Sequence, residues 1–294
     1  MKTEKILVTG ASGYQGKAIV EELLSKGYLV RGLVTKNVTN SVSDNFENYI
    51  GDFADLQSLV TAFEGIDKVV LSFPLIFDET ILLQFANNVI AAYHQSNVKQ
   101  FVFNTNLPVY DKKIGFTAFD VKLAIEQLFD KEHLPYVSLR PTLYMDNLSA
   151  PFLLPVIKNN LIIPYPIPNN EKIAWLSHKD LAKYVVTALE NPKLIGKKFN
   201  IGGLQLITGD EIAKVLSKIS GKEIHFLSVS PDDFEVQITP SFGNRTAKEI
   251  ANIYRFTATN ISHLQVKNLR EEVLIDLPIT LQTFEDWAKQ IEWE

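Results

Sequence analysis

Residues 8–20 read VTGASGYQGKAIV and place glycines at Gly10, Gly13 and Gly16. The spacing is one residue wider than G-x-G-x-x-G, the turn whose glycines let backbone N–H groups approach a pyrophosphate at a helix N-terminus. An apolar, β-rich run, KILVTG, leads into the turn. Ala18, Ile19, Leu23 and Leu24 follow at helical spacing, and Gly27 stands where a C-cap glycine belongs. The plain alternative is a glycine turn with no ligand, and context decides against it: the turn follows the first strand and opens a βαβ unit.

The rest of the first half repeats that alternation. YLVRGLVT reads as a second strand, and Asp55 caps a helix with Leu56, Leu59, Val60 and Phe63 on one face before Gly65. KVVLSF is a further strand. Ile81, Leu82, Phe85, Ala86, Val89, Ile90 and Tyr93 mark a long amphipathic helix. KQFVFNT, a helix over 119–129, and PYVSLRP continue the series. Strands alternating with helices imply an α/β fold, a Rossmann-type doubly wound parallel sheet with right-handed crossovers.

From Thr142 the pattern changes. PFLLPVIKNNLIIPYPIP carries Pro151, Pro155, Pro164, Pro166 and Pro168 and reads as an irregular pocket wall. A helix over 179–189, a strand at KKFNIGG, a capping box at Thr208 and Glu211 opening a helix that ends at Gly221, and a last helix from Thr280 complete the reading. The expected division is a dinucleotide-binding domain over 1–150, completed by parts of 174–203, and a mainly smaller C-terminal substrate lobe over 151–294.

Composition narrows the function classes. The chain has 294 residues, 46% of them apolar and 21% charged, and a net charge of -5, so it offers no basic field for nucleic acid. With no cysteine, disulfides, thiolate metal sites and a cysteine nucleophile are excluded. The histidines His94, His133, His178, His225 and His263 are scattered, none paired at metal-ligand spacing, and no Gly-x-Ser-x-Gly elbow occurs. The N-terminus enters a strand by Ile6 and leaves no room for a signal peptide. The longest uncharged stretch, 80–98, is too polar to cross a membrane. The expectation is a cytoplasmic protein with no membrane or nucleic-acid partner.

The end of the second strand bears on the cofactor. An acid there binds the ribose 2′-hydroxyl of NAD, and a basic residue welcomes a 2′-phosphate. Between Glu22 and Asp44 the chain has no acid but has Arg31 and Lys36, which favours NADP(H) over NAD(H); solvated surface charges are the other reading. In GDFADLQSL, Asp52 is placed to accept from an adenine amino group while Phe53 packs on its face, or they are a turn residue and a core residue. The expected cofactor contacts are Gly10, Ser12, Gly13, Tyr14, Gln15, Gly16, Thr35, Lys36, Asp52, Phe53, Ser72, Phe73, Pro74, Thr105 and Asn106.

The glycine turn, Gly51-Asp52 and FDVKLAIEQLFDKEHLPYVSLRPTLYMDN together resemble the NmrA-like branch of the atypical short-chain dehydrogenases/reductases, over about residues 5–202. The most specific pieces are Lys122, Ile125-Glu126, Leu139-Arg140-Pro141, Met145 and Asn147. The resemblance implies a Rossmann domain binding NADP and a small substrate lobe. It also implies kinship with quinone and isoflavone-type reductases and with regulators that bind the dinucleotide without known turnover. Short-chain reductases at large use a Tyr-x-x-x-Lys pair, yet none of the ten tyrosines here has a lysine four residues later. Ala118 stands four residues before Lys122, and Thr105 and Asn106 stand where a serine usually assists.

Lys122 itself matches the branch. A lysine with a pKa of about 10.4 is protonated at neutral pH, so it can bind ribose hydroxyls, stabilise an oxyanion or give up a proton; an exposed helix lysine is the bland alternative. The implied activity is hydride transfer from NADPH to a small apolar acceptor such as a quinone or enone, with Lys122 catalytic. Tyr144, Phe152 and Tyr165 would wall the substrate pocket, although residues of this kind are more often plain core. A redox sensor that binds NADP(H) and acts through a protein partner is the rival, and a homodimer is compatible with either. An isomerase or lyase using the cofactor transiently is a third class.

Overall fold

Runs such as KILVT and KVVL carry no polar alternation and need burial on both faces, which a parallel sheet covered by helices provides. In the computed structural model, which describes residues 2–36 and 43–293, Lys5–Thr9 (β1) leads through the glycine turn to Tyr14–Ser25 (α1). Leu29–Val34 (β2), Phe46–Ile50 (β3), Leu56–Phe63 (α2), Lys68–Leu71 (β4), Glu79–Tyr93 (α3), Gln100–Asn104 (β5), Thr117–Lys131 (α4) and Tyr136–Pro141 (β6) follow. Beyond them come Leu154–Asn160 (α5), Ile162–Tyr165 (β7), His178–Glu190 (α6), Lys198–Ile201 (β8), Gly209–Ser220 (α7), His225–Ser228 (β9), Pro231–Thr257 (α8) and a short helix, Phe284–Ala288.

Seven strands form one sheet in the order β3-β2-β1-β4-β5-β6-β8, and every neighbouring pair is parallel, with Ile6 opposite Val30 on one side and Lys68 on the other. This is a Rossmann-like α/β fold. The chain steps outward from β1 to β3 and then returns to β4, so the strand order reverses between β1 and β4. In such sheets ligands bind at the carboxyl ends of the strands beside that switch point. α6 returns from the second half of the chain to cover the sheet, with Tyr184 and Val185 in the same apolar cluster as Ile19 and Leu23.

A second apolar cluster lies beyond β6 and gathers Leu148, Tyr165, Trp175, Phe226, Phe234 and Trp287. Here the structure refines the reading of the proline-rich stretch: Phe152 and Tyr165 do wall the cavity and Pro151, Pro166 and Pro168 lie outside regular elements, but the middle of the stretch is a helix and a strand. Pro155 sits in the first turn of α5, where a missing N–H is harmless. Pro164 lies in β7, one of only two strands in its small sheet, paired parallel with β9. The last helix begins at Phe284 rather than Thr280, behind a capping box of Thr283 and Asp286. The largest omission is α8, whose start was written in the sequence: Ser230 accepts from the Asp233 N–H and Pro231 occupies the first turn.

The residues most specific to the family resemblance hold α4 in place. Glu126, with no exposed surface, accepts from Arg140 Nε at 2.9 Å and Ser138 Oγ at 2.6 Å and lies 3.5 Å from Lys198 Nζ. Removing one partner of a buried pair costs about 3–5 kcal/mol, because the other charge is left uncompensated. The network thereby fixes α4 against β6 and β8, one helical turn from Lys122.

Candidate functional site

A cavity of about 800 Å³ opens at the carboxyl ends of the strands and runs from the glycine turn into the second half of the chain. At its sheet end, Gly10 takes a left-handed φ of 65° and its carbonyl accepts from the Gly13 N–H at 2.9 Å. A Cβ at Gly16 would stand 2.1 Å from that carbonyl oxygen, so no side chain fits while the turn keeps its shape.

α1 starts at Tyr14 with Gly13 as its cap and no side-chain acceptor, whereas Asp55, Asp78, Ser177 and Thr208 cap α2, α3, α6 and α7. The first-turn amides of α1 are thus left at the cavity wall, and the positive end of the helix dipole with them. That arrangement fits the pyrophosphate of a dinucleotide.

Of the residues expected at a cofactor, Gly10, Ser12, Gly13, Tyr14, Gln15, Gly16, Thr35, Asp52, Phe53, Ser72, Phe73, Pro74, Asn106 and Lys122 all line this cavity, as do Tyr144, Phe152 and Tyr165. Thr105 does not. It is fully buried, with its hydroxyl 2.6 Å from the Leu107 carbonyl and 3.1 Å from that of Leu139. Lys36 is exposed and outside the walls, and residues 37–42 after it lie outside the described part of the chain.

Arg31 is also engaged elsewhere. Its guanidinium pairs with Glu47 and donates to the carbonyls of Ala62 (2.8 Å) and Glu64 (3.0 Å) at the end of α2. It is a structural cation and lends nothing to a preference for a 2′-phosphate. Asp52 serves the turn, accepting from the Ala54 N–H at 2.8 Å, and also faces the cavity. Phe53 packs on Phe73 and Phe85, with centroids 5.1 and 5.6 Å away.

Beneath the turn lies a polar cluster that the sequence reading found only in part. Asn104 Nδ2 donates to Gln15 Oε1 at 2.7 Å and to Asn106 Oδ1 at 3.0 Å. The Tyr144 hydroxyl reaches the same Gln15 oxygen at 3.4 Å. Asn106 adopts a left-handed φ of 64°, a conformation asparagine tolerates, and its N–H returns to Asn104 Oδ1 at 3.1 Å.

Lys122 is only 6% exposed, and among the described residues its ammonium has no hydrogen-bond or ion-pair partner. Burial away from water disfavours the charged form and lowers its pKa to about 8. Ala118, one turn earlier, lines the cavity as well, so no tyrosine hydroxyl stands at the usual place.

The far end of the cavity is apolar. Phe152 and Tyr165 are joined there by Phe234, Ile238, Phe242, Ile250, Ile253 and Tyr254, all from α8. None of these six was expected, because α8 itself was not. His178 also lines the wall, edge-on to Tyr144 at 4.8 Å, with Nδ1 3.6 Å from Asp146 Oδ1. Burial pushes its pKa down against the pull of Asp146. Among the described residues no group of histidines and carboxylates could hold a metal ion, and no helix is long and apolar enough to cross a membrane.

A glycine turn with open helix amides at the switch point of a parallel sheet defines the class of Rossmann-like α/β proteins. The chain belongs to the NmrA-like family, whose sequence profile matches residues 2–288. Pinoresinol reductase 1 of Arabidopsis thaliana is 27% identical over 262 residues, covering 81% of either chain. Triphenylmethane reductase of Citrobacter sp., crystallised with NADP(H), superposes with a TM-score of 0.79 at 23% identity, over 97% of this chain and 99% of that one. NmrA, a negative transcriptional regulator crystallised with NADP, superposes with a TM-score of 0.76 at 14% identity, over 99% and 96%.

Proposed function

We propose that the protein is an NADPH-dependent oxidoreductase that reduces a small apolar acceptor of the quinone or enone type. The observation that carries this reading is one continuous cavity, with open helix amides at one end, an aromatic chamber at the other and an unpartnered, buried lysine on its wall. Residues 1–150, completed by parts of 174–203, hold the cofactor in this reading, and residues 151–294 shape the chamber. A reductase among the relatives and a reductase seen with NADP(H) among the structures support the reaction class and the cofactor.

When bound, the reduced nicotinamide supplies a hydride. The α1 amides and the glycine turn bind the pyrophosphate, and Phe53 offers a face for the adenine. The apolar walls from α8 keep water from the acceptor. Lys122 holds its proton at neutral pH, since its lowered pKa of about 8 still lies above 7. It stabilises negative charge developing on an acceptor oxygen and can then give up that proton. Quinones accept hydride readily and tolerate the missing tyrosine better than simple ketones do.

The absent tyrosine also favours the rival reading, a dinucleotide sensor acting on a protein partner or on a second copy of the chain, and NmrA supports it. Mixing the protein with NADPH and a panel of quinones separates the two: NADPH consumption above background is expected. Tight NADPH binding with no turnover would sink the oxidoreductase reading.

A further inference from the structure

Within the largely apolar chamber, three polar groups form one chain. Asn147 Nδ2 donates to the Tyr165 hydroxyl at 3.2 Å, and the Tyr165 and Tyr254 oxygens are 2.6 Å apart. All three residues line the cavity. Two hydroxyl hydrogens are available, and the contact between the rings uses one of them.

If Tyr254 donated, the spare hydrogen would sit on Tyr165, which is 1% exposed and already meets Asn147 and Tyr254. It would have nowhere to go. If Tyr165 donates, the spare hydrogen sits on Tyr254, the more exposed of the two at 6%. Both hydroxyls stay protonated, since burial raises both pKa values. With Asn147 Nδ2 donating to Tyr165, the order is Asn147 to Tyr165 to Tyr254, which leaves the Tyr254 hydroxyl hydrogen without an acceptor among the described residues, beside walls such as Phe234, Ile238 and Ile253. A buried donor without an acceptor is costly and needs a partner.

We infer that Tyr254 is a specificity-determining residue that donates a hydrogen bond to an oxygen of the substrate, so the chamber takes apolar molecules carrying an acceptor oxygen such as a carbonyl. The inference names the substrate chemistry of the oxidoreductase reading and rests on that reading only for calling the ligand a substrate. A site built around a donor discriminates strongly against a ligand that lacks the acceptor, because the donor is then left unpaired.

The test is calorimetric binding to the NADP⁺-loaded protein, in which no hydride is available. The probes are menadione and 2-methylnaphthalene, which share a ring skeleton and differ in the carbonyl oxygens. Tyr254→Phe keeps the ring packed on Phe234 and Tyr165, at 5.3 and 5.5 Å, and so preserves the fold. It is expected to weaken menadione about tenfold, the worth of one neutral hydrogen bond, and to leave 2-methylnaphthalene within about twofold. Tyr165→Phe removes only the relay and should weaken menadione by a smaller factor, about threefold.

Equal changes for both probes, no change for either, no preference of the wild type for menadione, or a larger loss in Tyr165→Phe than in Tyr254→Phe would each overturn the inference. Wild-type protein that never oxidises NADPH would defeat the oxidoreductase reading and leave this difference in affinity readable. An active wild type whose Tyr254→Phe variant keeps its KM for menadione would defeat only the role of Tyr254.

Discussion

The two ends of the cavity are made of different material. At the sheet end the groups proposed to meet the pyrophosphate are backbone: the first-turn amides of α1 and a turn that only glycine can form at Gly16. At the far end they are side chains, aromatic and aliphatic, most of them from α8. A backbone site needs few residues close together in sequence and binds the part of a ligand common to many proteins. A side-chain site draws on residues far apart in the chain, here Asn147, Tyr165 and Tyr254, and changes its specificity by substitution without disturbing the first.

The comparison breaks most visibly at Gly16. A Cβ 2.1 Å from the Gly10 oxygen forces the turn apart, so Gly16→Ala should weaken NADPH at least about 100-fold, or about 2.7 kcal/mol. It should also destabilise the protein by about 1–3 kcal/mol. Fluorescence titration and thermal unfolding measure the two, and undiminished NADPH affinity would show that the backbone turn does not hold the cofactor.

Lys122 ranks next and pulls stability the other way. Its pKa of about 8, against 10.5 when unfolded, means that below pH 8 the folded state carries a charge it disfavours. At one pKa unit per 1.36 kcal/mol, the penalty is about 3 kcal/mol. Lys122→Met should therefore stabilise the ligand-free protein at pH 7. Between about pH 8 and 10.5 the unfolded chain binds the proton that the folded chain has released, so wild-type stability rises relative to the variant and the gap closes. Denaturant unfolding of both proteins across that range measures it. Turnover should fall about 100-fold in the variant, and wild-type turnover should decline as pH rises through about 8. A variant with unchanged rate would remove Lys122 from the chemistry.

The same contrast explains what could be read from the sequence. Gly10, Gly13 and Gly16 are local, and the hydrophobic period around them is clean, so the fold and the sheet end were legible. Lys122 was legible through its family pattern. Arg31 misled because a basic residue in the second strand carries no mark of its partners, and only the fold shows it against Glu47 and the end of α2. Thr105 misled by its place at a strand end, where neighbouring residues face opposite ways. α8 was missed because Pro240 and Gly243 interrupt its period, although Ser230, Pro231 and Asp233 announce its start.

After the tenfold effect expected of Tyr254→Phe, the smallest effect belongs to that interruption. Gly243 has φ 74° and ψ 160°, a region nearly closed to residues with a Cβ. A Cβ there would meet nothing within 4 Å, so Gly243→Ala isolates backbone strain from packing. The break separates Phe234 and Ile238 on one segment of α8 from Ile250, Ile253 and Tyr254 on the other, and both segments wall the chamber. Strain of about 1–2 kcal/mol should appear as lost stability in denaturant unfolding. Menadione binding should weaken severalfold as the two segments shift relative to each other, while NADPH affinity stays within about twofold, because no α8 residue builds the glycine turn. Loss of NADPH affinity equal to the loss of menadione would show that the two ends do not act separately, and the division between backbone site and side-chain site would fail.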